Sequence, residues 1–141
     1  MAQVGYSGTP LAKKLGIKAG HTIRLVNEPH YYFELFTDMP ENVQFLKDKK
    51  LNKDLVHYFT KEITDLQKDI AFLRNEIFPN GALWISWPKK AAKIATTVTE
   101  DAIRSIALSN GLVDIKVCAV DEIWSGLKLV VPVKERTTGR K

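Results

Sequence analysis

Asn27, His30, Trp87, Lys89, Lys90 and Trp124 are the residues of this chain whose types best suit a small ligand. Asn27 offers a donor and an acceptor, and His30 can titrate near neutral pH. Lys89 and Lys90 supply positive charge, while the Trp87 indole supplies a stacking face. Brought together, such groups hold an anionic or aromatic small molecule. The plainer reading is a loop stiffened by Pro29, with lysines snorkelling over apolar surface. Trp124, in a turn Trp124-Ser125-Gly126, either covers the edge of the core or lines a pocket, and the covering role is preferred.

Other chemistries fit less well. Ser86-Trp87-Pro88-Lys89 matches S-x-x-K, but an acyl-enzyme serine must start a helix so that the lysine follows one turn later. Here Ser86 ends an apolar run and Pro88 intervenes. His21, His30 and His57 lack a second ligand at helical or turn spacing, which argues against zinc. Cys118 sits in an apolar run and reads as a small core residue rather than a nucleophile. Asp121 and Glu122 are the best acid–base candidates if the chain is an enzyme, although neighbours on a strand point to opposite faces.

Composition sets the class. The chain has 141 residues, 45% of them hydrophobic and 26% charged, which suits one globular domain. A single cysteine excludes an internal disulfide and suits a reducing compartment. The first residues lack a basic start followed by an apolar run, and no apolar segment approaches the ~20 residues that cross a bilayer. These features lead us to expect a cytoplasmic protein without membrane contact. The net charge of +5 is uneven. Lys89, Lys90 and Lys93 supply +3, residues 134–141 supply another +3, and the remainder carries −1. Such spots attract phosphates or acidic partners.

The elements follow from periodicity and punctuation. Thr9 and Pro10 open a short helix, with Thr9 as cap, and Gly16 closes it. A strand follows at residues 21–26 and ends at Asn27-Glu28-Pro29. Residues 30–37 suit a short helix and residues 43–46 a short strand. After a charged connection at 47–53 comes a strand at 54–59. Thr60 then caps a helix over 61–77, whose Ile63, Leu66, Ile70, Leu73 and Ile77 form one apolar stripe. Pro79-Asn80-Gly81 turns the chain. Residues 82–87 are apolar apart from Ser86 and predict a central strand covered on both faces. Thr97 or Thr99 caps the next helix, which Asn110-Gly111 stops. Strands at 112–120 and 127–133 flank a turn at 121–126 and pair antiparallel.

Strands alternating with helices imply a mostly parallel sheet with right-handed crossovers. The closing helix–strand–strand resembles the C-terminal half of class I methyltransferases, whose last strand inserts antiparallel beside its predecessor. That resemblance implies a single Rossmann-like α/β domain over residues 1–133 and the strand order 2-1-3-4-6-5. Residues 134–141 form a basic, flexible tail in this reading. The methyltransferase signature is a glycine-rich turn after the first strand, where backbone must approach the ligand closely. This chain has Asn27-Glu28-Pro29-His30 there, which argues against an intact S-adenosylmethionine site. Nearly the whole chain also resembles a family of small bacterial proteins known as domain of unknown function 3052. Gly81-Ala82-Leu83-Trp84-Ile85-Ser86-Trp87-Pro88-Lys89-Lys90 and Val117-Cys118-Ala119-Val120-Asp121-Glu122-Ile123-Trp124-Ser125-Gly126-Leu127-Lys128 carry that likeness most specifically. It implies a bacterial cytoplasmic protein and brings no catalytic residues.

In open parallel sheets, ligands bind beyond the C-terminal strand ends where strand order reverses. In the expected order that point lies between the first and third strands, beside Asn27, His30, Trp87, Lys89 and Lys90. The leading expectation is a non-enzymatic binding or adaptor domain for a small anion or nucleotide-like ligand, or for a protein partner, with no cofactor identified. A divergent transferase is the alternative. Nucleic-acid binding through Lys89, Lys90, Lys93 and the tail ranks third, because Trp87 is the only aromatic near those lysines.

Overall fold

A computed structural model describes residues 8–136. Six strands form one sheet: β1 (Thr22–Val26), β2 (Gln44–Phe45), β3 (Lys53–Phe59), β4 (Ile77–Pro88), β5 (Val113–Ala119) and β6 (Trp124–Val130). Their order is β2-β1-β3-β4-β6-β5, as the resemblance to class I methyltransferases implies. β1, β2, β3 and β4 run parallel, and β6 lies antiparallel to both β4 and β5. Helices α2 (Ile63–Glu76) and α3 (Glu100–Ser109) cover one face, and the short helix α1 (Leu11–Leu15) covers the other.

Two apolar layers follow. On the α2/α3 face, Leu66, Ile70 and Leu73 of the predicted stripe pack on Val56, Leu83, Ile85 and Leu127. On the α1 face, Leu11 and Leu15 pack on Ile23, Leu55, Phe59, Trp84 and Trp124. Burying side chains on both faces is what makes β4 a nearly continuous apolar run. The Trp84 indole N–H also donates to Leu15 O at 2.9 Å, which ties α1 to the sheet.

Several boundaries differ from the sequence reading. The N-cap of α1 is Pro10 and not Thr9, with no side-chain cap hydrogen bond, whereas Gly16 takes the left-handed C-cap conformation (φ 81°) as expected. Residues Tyr32–Leu35 make one 3-10 turn instead of a longer helix. The N-cap of α2 is Glu62, and Thr60 Oγ1 accepts from Glu62 N–H instead of capping the helix. The cap bond comes from far along the chain: Ile63 N–H donates to Thr97 Oγ1 at 2.7 Å. Thr99 caps α3 by accepting from Ala102 N–H.

Pro79-Asn80-Gly81 does not end a strandless turn. β4 already begins at Ile77, and residues 78–81 bulge opposite Asp54 before pairing resumes at Ala82. Gly81 is required there, because a Cβ would lie 2.9 Å from Asp54 O. Trp124 is the first residue of β6 rather than part of a turn, and the tight connection is shorter than predicted. Asp121 Oδ1 organises it by accepting from Ile123 N–H (2.8 Å) and Trp124 N–H (2.7 Å). β5 is an edge strand with Ile115 and Val117 exposed, so Cys118 is half-buried against the α1 face and not in mid-core. Of the expected tail, Lys134 and Glu135 belong to a 3-10 turn (Val133–Glu135) and Arg136 Nε donates to Val131 O. Residues 137–141 of that tail lie outside the described residues.

Candidate functional site

The chain leaves the sheet at the C-terminal ends of β1, β3 and β4, and among the clefts there one adjoins the reversal of strand order and another the end of β4. The first holds about 400 Å³ and lies at the reversal of strand order, between β1 and β3. Asn27, Pro29, Phe59, Thr60, Lys61, Glu62, Asp65 and Trp124 line it. The second holds about 620 Å³ between the end of β4 and the start of α3. Trp87, Lys89, Lys90, Thr96, Thr99 and Glu100 contribute to its wall.

The sequence-predicted residues are therefore divided. Asn27 and Trp124 share the first cleft, while Trp87, Lys89 and Lys90 share the second. His30 is exposed, lies edge-to-face on Tyr31 with ring centroids 5.3 Å apart, and lines neither cleft. Register explains the division. Pro88 pairs with Trp124 and Trp87 with Ser125, so the two tryptophans point to opposite faces of the sheet. Trp124 joins the layer on the α1 face and Trp87 the layer on the α2/α3 face.

In the first cleft, aromatic surface meets a polar rim. Trp124 lies edge-to-face on Phe59 at 5.0 Å between centroids, and both are largely buried. Asn27 takes a left-handed conformation (φ 58°) and its amide donates to Phe59 O at 3.3 Å, tying the β1 turn to the end of β3. Lys61, Glu62 and Asp65 ring the mouth and are exposed. Residues 96 and 97 hold that rim in place. Thr96 Oγ1 and Thr97 N–H donate to Lys61 O, and Thr97 Oγ1 donates to Glu62 Oε1. The ridge between the clefts is thus stitched by Thr96 and by Thr97, one of the two threonines expected to cap α3.

Glu62, Asp65 and Thr97 were not among the sequence candidates. Their signal was faint: acids in the first turn of a helix read as dipole partners, not as a cleft wall. The acid–base candidates separate. Glu122 is exposed, whereas Asp121 is 9% exposed and accepts the Tyr31 hydroxyl at 2.7 Å besides its two backbone bonds. Ser86 and His57 lie out of reach of either cleft. His57 Nε2 is 2.7 Å from Ser86 Oγ, its Nδ1 is 3.0 Å from the Tyr32 hydroxyl, and all three residues are sealed in the core. Burial pushes the His57 imidazole down to about 3 and the Tyr32 phenol up. Among the described residues, no group of three His, Cys, Asp or Glu could hold a metal ion. No helix among them is long and apolar enough to cross a membrane.

Sheet order, antiparallel β6 and the cleft at the reversal define a methyltransferase-like α/β fold. Solved structures similar to it include S-adenosylmethionine-dependent methyltransferases. One is a SAM dependent methyltransferase from Aquifex aeolicus, 17% identical, with a TM-score of 0.57 over 86% of this chain and 88% of that one. A putative type 11 methyltransferase from Sulfolobus solfataricus is 15% identical, with a TM-score of 0.59 over 93% and 92%. The magnesium protoporphyrin IX methyltransferase of Synechocystis, solved with bound SAH, is 13% identical, with a TM-score of 0.54 over 86% and 78%. These likenesses establish the fold. No family model and no curated protein matches the chain.

S-adenosylmethionine is the cofactor that such a fold implies. The turn after β1 does not fit it in the manner of a glycine-rich loop. Asn27, Glu28 and Pro29 each carry a Cβ, Pro29 has no N–H, and the Asn27 amide is already spent on Phe59 O. No methyl-transfer step follows from these residues.

Proposed function

We propose that the protein is a small-ligand-binding domain whose site is the first cleft, and that its ligand is nucleoside-like. The observation that carries this reading is an aromatic wall, Phe59 and Trp124, rimmed by Asn27, Glu62 and Asp65 at the reversal of strand order. An aromatic base suits the indole edge, and the carboxylates of Glu62 and Asp65 suit the hydroxyls of a sugar. The anionic part of such a ligand finds its charge at Lys89 and Lys90 in the neighbouring cleft, since Lys61 shares the first cleft with two acids, Glu62 and Asp65. His30 has no part in the reading. An adaptor role, in which ligand binding is reported to a protein partner, is compatible with the same cleft. We also infer kinship with the domain of unknown function 3052 proteins and a bacterial cytoplasmic setting, on residues 81–90 and 117–128 alone.

A thermal-shift panel tests the site: S-adenosylmethionine, its demethylated product, mono- and dinucleotides, and sugar phosphates. A ligand at a hundred times its Kd stabilises by about 2.7 kcal/mol, which moves the midpoint of a domain this size by roughly 5–10 °C. The shift should disappear in Glu62→Gln/Asp65→Asn, and Lys89→Ala/Lys90→Ala should weaken only the phosphorylated ligands. A shift that survives Glu62→Gln/Asp65→Asn would place the ligand elsewhere. The second reading is a divergent transferase, favoured by the methyltransferases that share the fold. A response confined to S-adenosylmethionine and its product would favour it over the binding domain.

A further inference from the structure

Lys18, Lys116 and Lys128 meet Lys14 where α1 packs on the edge of the sheet. Lys116 and Lys128 stand opposite each other on β5 and β6. Lys116 Nζ donates to Lys14 O at 2.9 Å, and Lys14 Nζ donates to Ala119 O at 3.4 Å. Lys128 reaches across to Gly16, where its Nζ would lie 3.4 Å from an added Cβ. Among the described residues, Lys18, Lys116 and Lys128 join no ion pair. Burial pushes the Lys128 ammonium down, and the charges of Lys116 and Lys18 push it further in the same direction. Like charges gathered this closely cost stability unless an anion joins them.

The same corner carries an open strand edge. Among the described residues β5 pairs with no strand but β6, and on its other side Ala119 O accepts only the Lys14 ammonium, which an incoming strand would displace. Ile115 and Val117 are 56% and 51% exposed. Ile115 is the bulged residue between Asp114 and Lys116, which leaves residues 116–119 as the regular part of the edge.

We propose that the β5 edge with Lys14, Lys18, Lys116 and Lys128 is a docking surface for an acidic, extended peptide of a partner protein. The peptide adds as a strand beside residues 116–119, its backbone groups pairing with β5. Its carboxylates face the lysines on the α1 side, and its apolar side chains cover Val117 on the other side. Charge complementarity selects this occupant. A second copy of the chain would bring two lysine clusters together across the new pair, which is repulsive. A single-stranded nucleic acid would need stacking aromatics among the lysines, and the cluster is aliphatic apart from its charges. This surface is distinct from the two clefts at the strand ends and does not depend on what they bind.

Fluorescence anisotropy with a labelled peptide of about ten residues alternating Glu and Val, its Lys–Val counterpart, and a short oligothymidylate tests the proposal on the full chain. The acidic peptide should bind, with affinity falling as salt rises. Lys18→Glu/Lys116→Glu, both exposed positions, should weaken it by about tenfold or more. Lys18→Gln/Lys116→Gln, which keeps the fold neutral in charge there, carries the test if the reversal unfolds the protein. Amide hydrogen exchange should slow at residues 116–119 on binding. Four results would each overturn the proposal: no binding of the acidic peptide, undiminished binding by both variants, oligothymidylate binding as tightly as the peptide, or unchanged exchange along β5.

Discussion

The two ends of β3 are built on opposite principles. At its start one buried carboxylate is matched by two buried cations. Arg24 donates to Glu76 through Nε (2.7 Å) and Nη2 (2.8 Å), and Lys53 Nζ lies 3.2 Å from the same carboxylate. All three residues are at most 7% exposed. Lys53 Nζ also donates to Lys50 O, and Asn52 N–H takes the last carbonyl of α2, Glu76 O. At the other end Lys61, Glu62 and Asp65 stand exposed around a cleft, held by backbone and hydroxyl bonds. The contrast teaches where this fold stores stability and where it keeps polar groups free for something else. A closed ionic cluster locks the beginning of the parallel strands. An open rim marks the end where ligands bind in such sheets.

That contrast can be broken most sharply at Glu76. Glu76→Gln leaves buried Arg24 without a carboxylate and Lys53 with Asp48 alone, and breaking a buried pair costs about 3–5 kcal/mol. The melting midpoint should fall by roughly 10 °C or more, read by calorimetry. A loss no larger than that of an exposed carboxylate would show that the two ends do not differ.

Acid should act next, through the sealed core between the ends. The imidazole of His57 sits at about 3 when folded, below its ordinary 6.5. Between those values the unfolded chain holds a proton that the native one lacks. Its contribution is full above pH 6.5 and declines as pH falls towards 3, by about 1.4 kcal/mol per pH unit. Urea midpoints from pH 7 to pH 4.5 read the loss, and His57 carbon NMR signals that titrate in the native state over that range would refute the cause.

Thr97→Ala sharpens the comparison at the open end. It removes the cap that Ile63 N–H uses and the bond to Glu62. A lost cap costs about 1 kcal/mol, and urea unfolding should show it while the Lys53 end keeps its exchange protection. The smallest effect belongs to the rim itself. Asp65→Asn should change stability by less than about 0.5 kcal/mol in the same assay, since its side chain is exposed and sits at the cleft mouth. A larger loss would mean that the rim is structural and would weaken the case for a ligand there.

Some of this was legible along the chain. The stripe of Leu66, Ile70 and Leu73 gave α2 because helical spacing places these residues on one face within a few turns. The apolar run at 82–87 gave a strand buried on both faces, alternation gave a mostly parallel sheet, and the resemblance to class I methyltransferases gave its order. The candidate site was legible only as a neighbourhood. Asn27, Trp87, Lys89 and Lys90 do lie at the C-terminal strand ends, but Trp87 and Trp124 divide between faces because Pro88 pairs with Trp124. One residue of register decides which face a side chain occupies, and no local pattern fixes the register of strands 36 residues apart.

The sequence by itself determined most of the elements, the parallel character of the sheet, and the end at which clefts would open. Those depend on periodicity, on turn residues such as Gly16, and on the handedness of crossovers, which act over short stretches of chain. Only the tertiary structure decided that Thr97 caps a helix 34 residues before it, that His57 is sealed between Tyr32 and Ser86, and that Lys14, Lys18, Lys116 and Lys128 share one corner. Each of these joins residues far apart in sequence. Such meetings are fixed by register and packing of the whole sheet, because a hydrogen bond or a charge contact acts only over a few ångströms in space, whatever the separation along the chain.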